Sequence, residues 1–301
     1  MRPRIPLLGL LAAAACGGAG ASERVSVLAV DRLSGELGGQ EVELPGTDLS
    51  AVRGPAAMML LGASIDGNRV AGGVSPECSL RRKVDGALVA RTLPCVALLG
   101  QYAAMERGRQ FLLAAGAEAL LPAPVLADSS TPGLRYLPAA DAFVLGEGPQ
   151  GARVPAALNA GAVAREMARR QLRGMAESHP EEAEGIALFI GAAAAADPGY
   201  LAASEPGGDP TGSLDLARPL PADARPSAVL AGALWAWADA SGDLNGAVRA
   251  ALAAARALGA GASDPAAVLS LVAGQLEGES RDQACAVFRA RLRAGNITAC
   301  P

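Results

Sequence analysis

Near residue 100 the sequence changes character. Before it, apolar residues recur in short alternating runs, the pattern of half-buried strands. Arg24-Val25-Ser26-Val27-Leu28-Ala29-Val30 alternates, as does Gln40-Glu41-Val42-Glu43-Leu44. Ala57 to Leu61 is a short apolar run that suits a buried strand, and Asp66-Gly67 and Asp85-Gly86 are turn signals. Beyond Gln101 the pattern becomes helical: Tyr102 to Ala115 ending at Gly116, then Val154 to Met175, Glu181 to Ala196, Ser227 to Ala240, Leu244 to Leu258, Asp264 to Leu276 and Arg281 to Arg293. Two short strand-like pieces, Leu134–Leu137 and Ala142–Leu145, interrupt them, and Pro198 to Pro226 reads as an irregular surface loop. Hydrophobic residues make up 51% of the chain but aromatics only 3%. A core built from alanine favours closely packed helices. The expected fold class is therefore α+β, with a small β-rich module over residues 24–100 and a mostly helical domain over residues 101–301.

The N-terminus carries the marks of export. Arg2 and Arg4 precede an apolar run from Ile5 to Ala15, which is too short to remain in a membrane as a helix. Residues 1–15 are read as a signal peptide of the bacterial lipoprotein type. Ala13-Ala14-Ala15-Cys16 resembles a lipobox, which implies a lipid on Cys16 and a tether over residues 16–23. Ala13 departs from that pattern, where leucine is preferred. Cleavage after Ala19-Gly20-Ala21 is the competing route and would release a secreted chain. The expected location is the cell envelope, lipid-anchored, at the outer membrane or periplasmic face.

Setting Cys16 aside leaves Cys78, Cys95, Cys285 and Cys300 in two sequence-local couples. In an oxidising compartment Cys78–Cys95 and Cys285–Cys300 form the simplest of three connectivities, the first stapling the last hairpin of the β-rich module. Four free buried thiols are the alternative. No C-x-x-C spacing suggests a zinc or redox motif. A net charge of -4 gives no electrostatic reason to expect nucleic acid as a partner.

The segment with chemical content is Val154-Pro155-Ala156-Ala157-Leu158-Asn159-Ala160-Gly161-Ala162-Val163-Ala164-Arg165-Glu166-Met167-Ala168-Arg169. It resembles the active-site helix of the gluzincin metallopeptidases, the zincin-type group that includes thermolysin and the fungalysins. In that family the helix runs into H-E-x-x-H. Two histidines four apart present two nitrogens to one zinc ion, and the glutamate between them is the general base for the bound water. Here Arg165 and Arg169 occupy the ligand positions and Glu166 matches the base. Glu184-Gly185-Ile186-Ala187 matches the family's E-G-x-A segment, so Glu184 takes the place of the third ligand, although Leu188 departs from the usual aspartate. Met105 to Gly116, Tyr136 to Gly146, Ile190 to Tyr200 with Asp197-Pro198, and Ala228 to Trp235 follow in the family's order. Asp223-Ala224-Arg225 stand where a histidine often precedes the last of these.

The resemblance implies a zincin-like frame over residues 101–301 that has lost its zinc ligands. Arginine keeps its proton and cannot ligate a metal. His179, the chain's one histidine, is expected to be exposed in a loop before Pro180. The expectation is a non-catalytic pseudo-peptidase with a vestigial Glu166, no cofactor and no metal, binding a protein or peptide. Losing a +2 ion and gaining two guanidiniums further suggests that Arg165 or Arg169 pairs with Glu184. The plainer reading of R-E-x-x-R is a solvated helix face with i,i+4 charge pairs. Two other functions stay open: a structural or interaction lipoprotein of the envelope, and a hydrolase working through Glu166, Glu184 and neighbours such as Glu181, Glu182 or Asp197.

Overall fold

The computed structural model describes residues 22–30, 37–129, 133–146, 155–203, 214–221, 223–258, 264–292 and 297–300. The signal peptide, Cys16 and all of the tether but Ser22 and Glu23 lie outside them.

The fold is α+β, strand-rich first and helical afterwards. Strands β1 (Glu23–Val30), β2 (Leu37–Leu44), β5 (Leu80–Arg82) and β6 (Leu88–Ala90) form a four-stranded sheet in the order β2-β1-β6-β5. Alternation sets its register: Val25, Val27 and Ala29 turn inward and are buried. A second sheet has the order β4-β3-β7-β9-β8, built from β3 (Ala57–Asp66), β4 (Arg69–Val74), β7 (Ala123–Ser129), β8 (Leu134–Leu137) and β9 (Ala142–Gly146). Strands β3, β7 and β9 run parallel, while β4 and β8 close the two edges antiparallel. This sheet joins strands from both sides of residue 100, so the sheet pairing does not respect the expected division there. Ala123 to Ser129 was not expected as a strand: Ala, Pro and Asp dilute its short apolar run.

Helix α1 spans Leu93–Ala114, starting nine residues before Tyr102, because Pro94 is suited to a first helical turn. Its Gly100 passes close to the backbone of β1. A Cβ there would lie 3.3 Å from the carbonyl carbon of Leu28 and 3.2 Å from Leu158. The expected long helix from Val154 divides into α2 (Ala160–Gln171) and α3 (Arg173–Ala176). The rest follow closely: α4 (Pro180–Ala195), α5 (Pro226–Ser241), α6 (Leu244–Ala257), α7 (Pro265–Gly274) and α8 (Gly278–Arg291). Helix α1 packs between β1 and α2, α2 packs on α4, and α4 on α5. One continuous core runs from Val25 and Leu99 through Met167 and Ile190 to Leu234 and Phe288.

Both cysteine couples are bonded. Cys78 joins Cys95 and Cys285 joins Cys300, with Cα–Cα distances of 5.6 and 5.5 Å. The first bond brackets the β5–β6 hairpin, tying the segment before β5 to the opening turn of α1. The second ties the C-terminal segment to α8.

Candidate site: an arginine–carboxylate cluster between two helices

Helix α2 begins at Asn159. Its side-chain oxygen accepts hydrogen bonds from the backbone N–H groups of Gly161 and Ala162, satisfying donors that have no partner inside the helix. Its amide nitrogen donates to the carbonyl of Tyr200, 2.8 Å away, and so fixes the start of α2 against the segment after α4. Arg165 and Arg169, one turn apart, then project from the same face.

That face meets α4. The Arg165 Nε donates to Glu184 Oε1 at 3.1 Å, and its Nη2 makes a second, shorter contact with the same oxygen. Arg169 takes the other oxygen, with Nε at 2.7 Å and Nη2 at 2.6 Å from Oε2. Its Nη1 reaches back to Glu166 Oε1 at 2.8 Å. One carboxylate is thus held by two guanidiniums, the pairing expected from the sequence, with both arginines engaged rather than one. The side chains of Arg165, Arg169 and Glu184 are 22%, 31% and 24% exposed, so the cluster is recessed, not a solvated charge ladder.

Glu166 sits deeper, at 4% exposure. Its Oε2 accepts the backbone N–H of Tyr136 at 2.8 Å, which ties α2 to the edge strand β8. This is the outward side of β8: Arg135 and Leu137 bond inward to β9, as the register places them. Burial works against the charged form of Arg165, but Glu184, with Tyr200 and Glu166, outweighs it and holds the guanidinium above its ordinary value.

Tyr200 completes the cluster. It is 4% exposed and its hydroxyl has no hydrogen-bond partner among the described residues. Burial is the main cause that raises its pKa. The ring lies against Gly161 and Gly191, where α2 and α4 touch. A Cβ on either glycine would come within 2.8 Å of the other's carbonyl oxygen. The resemblance places Tyr200 only at the end of the Ile190–Tyr200 segment, and nothing in its sequence neighbours signals a place beside Arg165.

A second ionic group supports the first. Arg170, 8% exposed, forks onto Asp141 with Nε and Nη2 at 2.7 and 2.8 Å, and donates through Nη1 to the Leu121 carbonyl. Tyr136 donates its hydroxyl to Asp141 at 2.8 Å. The Arg170 hydrogen bond holds the Asp141 carboxyl down at about 2, while burial and then Asp141 push the Tyr136 phenol up to about 12. Together these contacts lock the β8–β9 turn onto α2.

Other marked residues fall elsewhere. His179 is buried at 3% exposure, which corrects the expectation of an exposed loop histidine. It stands at the N-cap position of α4, and its backbone N–H bonds to the Met175 carbonyl. Glu181 accepts from the Ser227 N–H at the start of α5, and Asp197 from the Gly199 N–H in a turn. Trp235 and Trp237 are core residues of α5. Among the described residues no three His, Cys, Asp or Glu side chains are grouped to hold a metal. The zinc held by the gluzincins does not fit this cluster, because its two helix α2 positions offer only protonated guanidiniums. Two open cavities, of about 370 and 410 Å³, have walls that include none of the cluster residues.

No model of a known protein family matches the sequence, and no curated protein is significantly similar to it.

Proposed function

We propose that this chain is a cell-envelope protein of the bacterial lipoprotein type, tethered through Cys16. In this reading it is built on a gluzincin-like frame in which an arginine–carboxylate cluster stands in the place of zinc, and it acts by binding a protein or peptide rather than by hydrolysis. One observation carries the reading: Arg165 and Arg169 converge on Glu184 across the α2–α4 contact. A general base needs a free carboxylate oxygen facing a substrate proton. Both oxygens of Glu166 are engaged, by the Tyr136 amide and by Arg169, and both oxygens of Glu184 by the two arginines. That weighs against the carboxylate-hydrolase alternative. The two disulfides fit an oxidising compartment outside the cytoplasm, and among the described residues no helix is long and apolar enough to cross a membrane.

The experiment is a peptide library passed over the immobilised mature protein, reading retention and cleavage together by mass spectrometry. A retained class of extended peptides with no new termini is expected. New termini made by the wild-type protein and lost in Glu166→Gln would replace this reading with the hydrolase. No retention would favour a structural envelope lipoprotein whose partners do not use the cluster.

A further inference from the structure

We infer that the β5–β6 turn, Lys83-Val84-Asp85-Gly86, rests on the bilayer surface, with Val84 in the headgroup region. This rests on the reading of Cys16 as the lipid-bearing residue. Between Cys16 and β1 stand six residues, Gly17–Ser22. A chain of that length reaches at most about 25 Å when fully extended. The end of the four-stranded sheet where β1 begins must therefore stay close to the membrane.

The β5–β6 turn occupies that same end. Strand β6 runs parallel to β1, with Val25 opposite Leu88, so the turn before β6 lies beside the first residues of β1. Side chains fix it there: Arg24 donates to the Asp85 carbonyl and Arg82 pairs with Glu23 at 3.5 Å. The turn is closed by backbone bonds from Lys83 N–H to Ala87 and from Gly86 N–H to Lys83. At its tip Val84 is fully exposed, the most exposed large apolar side chain of the described residues.

Arg81, Arg82 and the chain's single lysine, Lys83, precede it, and two of these charges are matched within the sheet, Arg82 by Glu23 and Lys83 by Glu41 at 3.1 Å. An apolar tip in front of paired charges suits the edge of a lipid surface: the valine enters the acyl boundary while the ion pairs stay in the hydrated headgroup layer. The short closed turn presents Val84 at no further ordering cost.

The test attaches the mature chain, its four other cysteines oxidised, to vesicles through a maleimide lipid at Cys16. The vesicles are phosphatidylcholine with phosphatidylglycerol, with and without brominated acyl chains. Val84→Trp adds one indole over the background of buried Trp235 and Trp237. Asp282→Trp on α8, a helix that packs on α5 and α7 and not on the sheets, is the control. The emission added at position 84 should shift to the blue and be quenched by the brominated lipid, and that at position 282 should do neither. Equal behaviour at the two positions, or an unquenched indole at 84, overturns the proposed contact. Fatty-acid labelling in cells, with Cys16→Ser as the blank, tests the anchor separately. Absence of label in the wild-type chain overturns the lipid reading, whatever the vesicles show.

Discussion

Removing one member of the cluster should destabilise the protein by an amount that depends on which of the others are still present. Take Arg169→Ala. It deletes two contacts to Glu184 and one to Glu166. A hydrogen bond to a charged group contributes about 1.5–3 kcal/mol, and breaking one side of a buried pair costs about 3–5 kcal/mol. Arg169 is nearly a third exposed, so its site can rehydrate in part, and Arg165 still holds Glu184. We expect a loss of about 2–3 kcal/mol for Arg169→Ala. Glu184→Ala strands two guanidiniums and should cost about 2–4 kcal/mol by the same scale. The double variant removes the charge together with one of its partners, so it should lose less than the sum by at least about 1 kcal/mol. Equilibrium urea unfolding followed by circular dichroism, with disulfides intact, measures each corner of the cycle. Single losses that add to within about 0.5 kcal/mol would refute the reasoning, because independent sites behave that way.

The other expectations are narrower. Asp141 has a depressed pKa in the folded chain, so its contribution is complete above about pH 4 and drains as pH falls towards 2. Asp141→Asn should flatten acid unfolding over that window. Tyr136 has a raised pKa, so its contribution is complete below pH 10 and is lost as pH rises towards 12. Tyr136→Phe should flatten the alkaline limb. Gly161→Ala forces a Cβ towards the Gly191 carbonyl and the Tyr200 ring and should cost about 2–3 kcal/mol in chemical unfolding, whereas Gly174→Ala meets nothing and should be neutral or slightly stabilising. Reduction should lower the melting temperature, each disulfide being worth about 2–4 kcal/mol, and peptide mapping without reductant should recover the pairs 78–95 and 285–300.

Much of this fold could be read from pattern. Helices α4 to α6 carry long alanine-rich stretches, Pro180, Pro226 and Pro265 open α4, α5 and α7, and Asp243 and Asp264 cap α6 and α7, so the limits of α4 to α8 fall within a few residues of expectation. The start of α1 was missed because Leu93-Pro94-Cys95 looks like the end of a hairpin. Strand β7 was missed because its partners lie on both sides of it in sequence, and no local alternation announces a buried parallel strand. Within the cluster, the spacing of Arg165, Glu166 and Arg169 placed them on one turn, and charge balance pointed to Glu184. What the sequence could not supply were the backbone contacts. Glu166 is held by the amide of Tyr136, a group present at every residue but proline, and Tyr200 sits where two glycines let α2 and α4 touch.

The central claim is that two guanidiniums occupy the place of a metal between α2 and α4. Metal content by mass spectrometry, after dialysis against trace zinc, tests it in two proteins measured side by side. The wild-type mature protein should carry no stoichiometric zinc, and Arg165→His with Arg169→His, which keeps Glu184 facing both positions, should take up one equivalent that a chelator removes. One equivalent of zinc in the wild-type protein, or a folded double-histidine variant that binds none, would contradict the account.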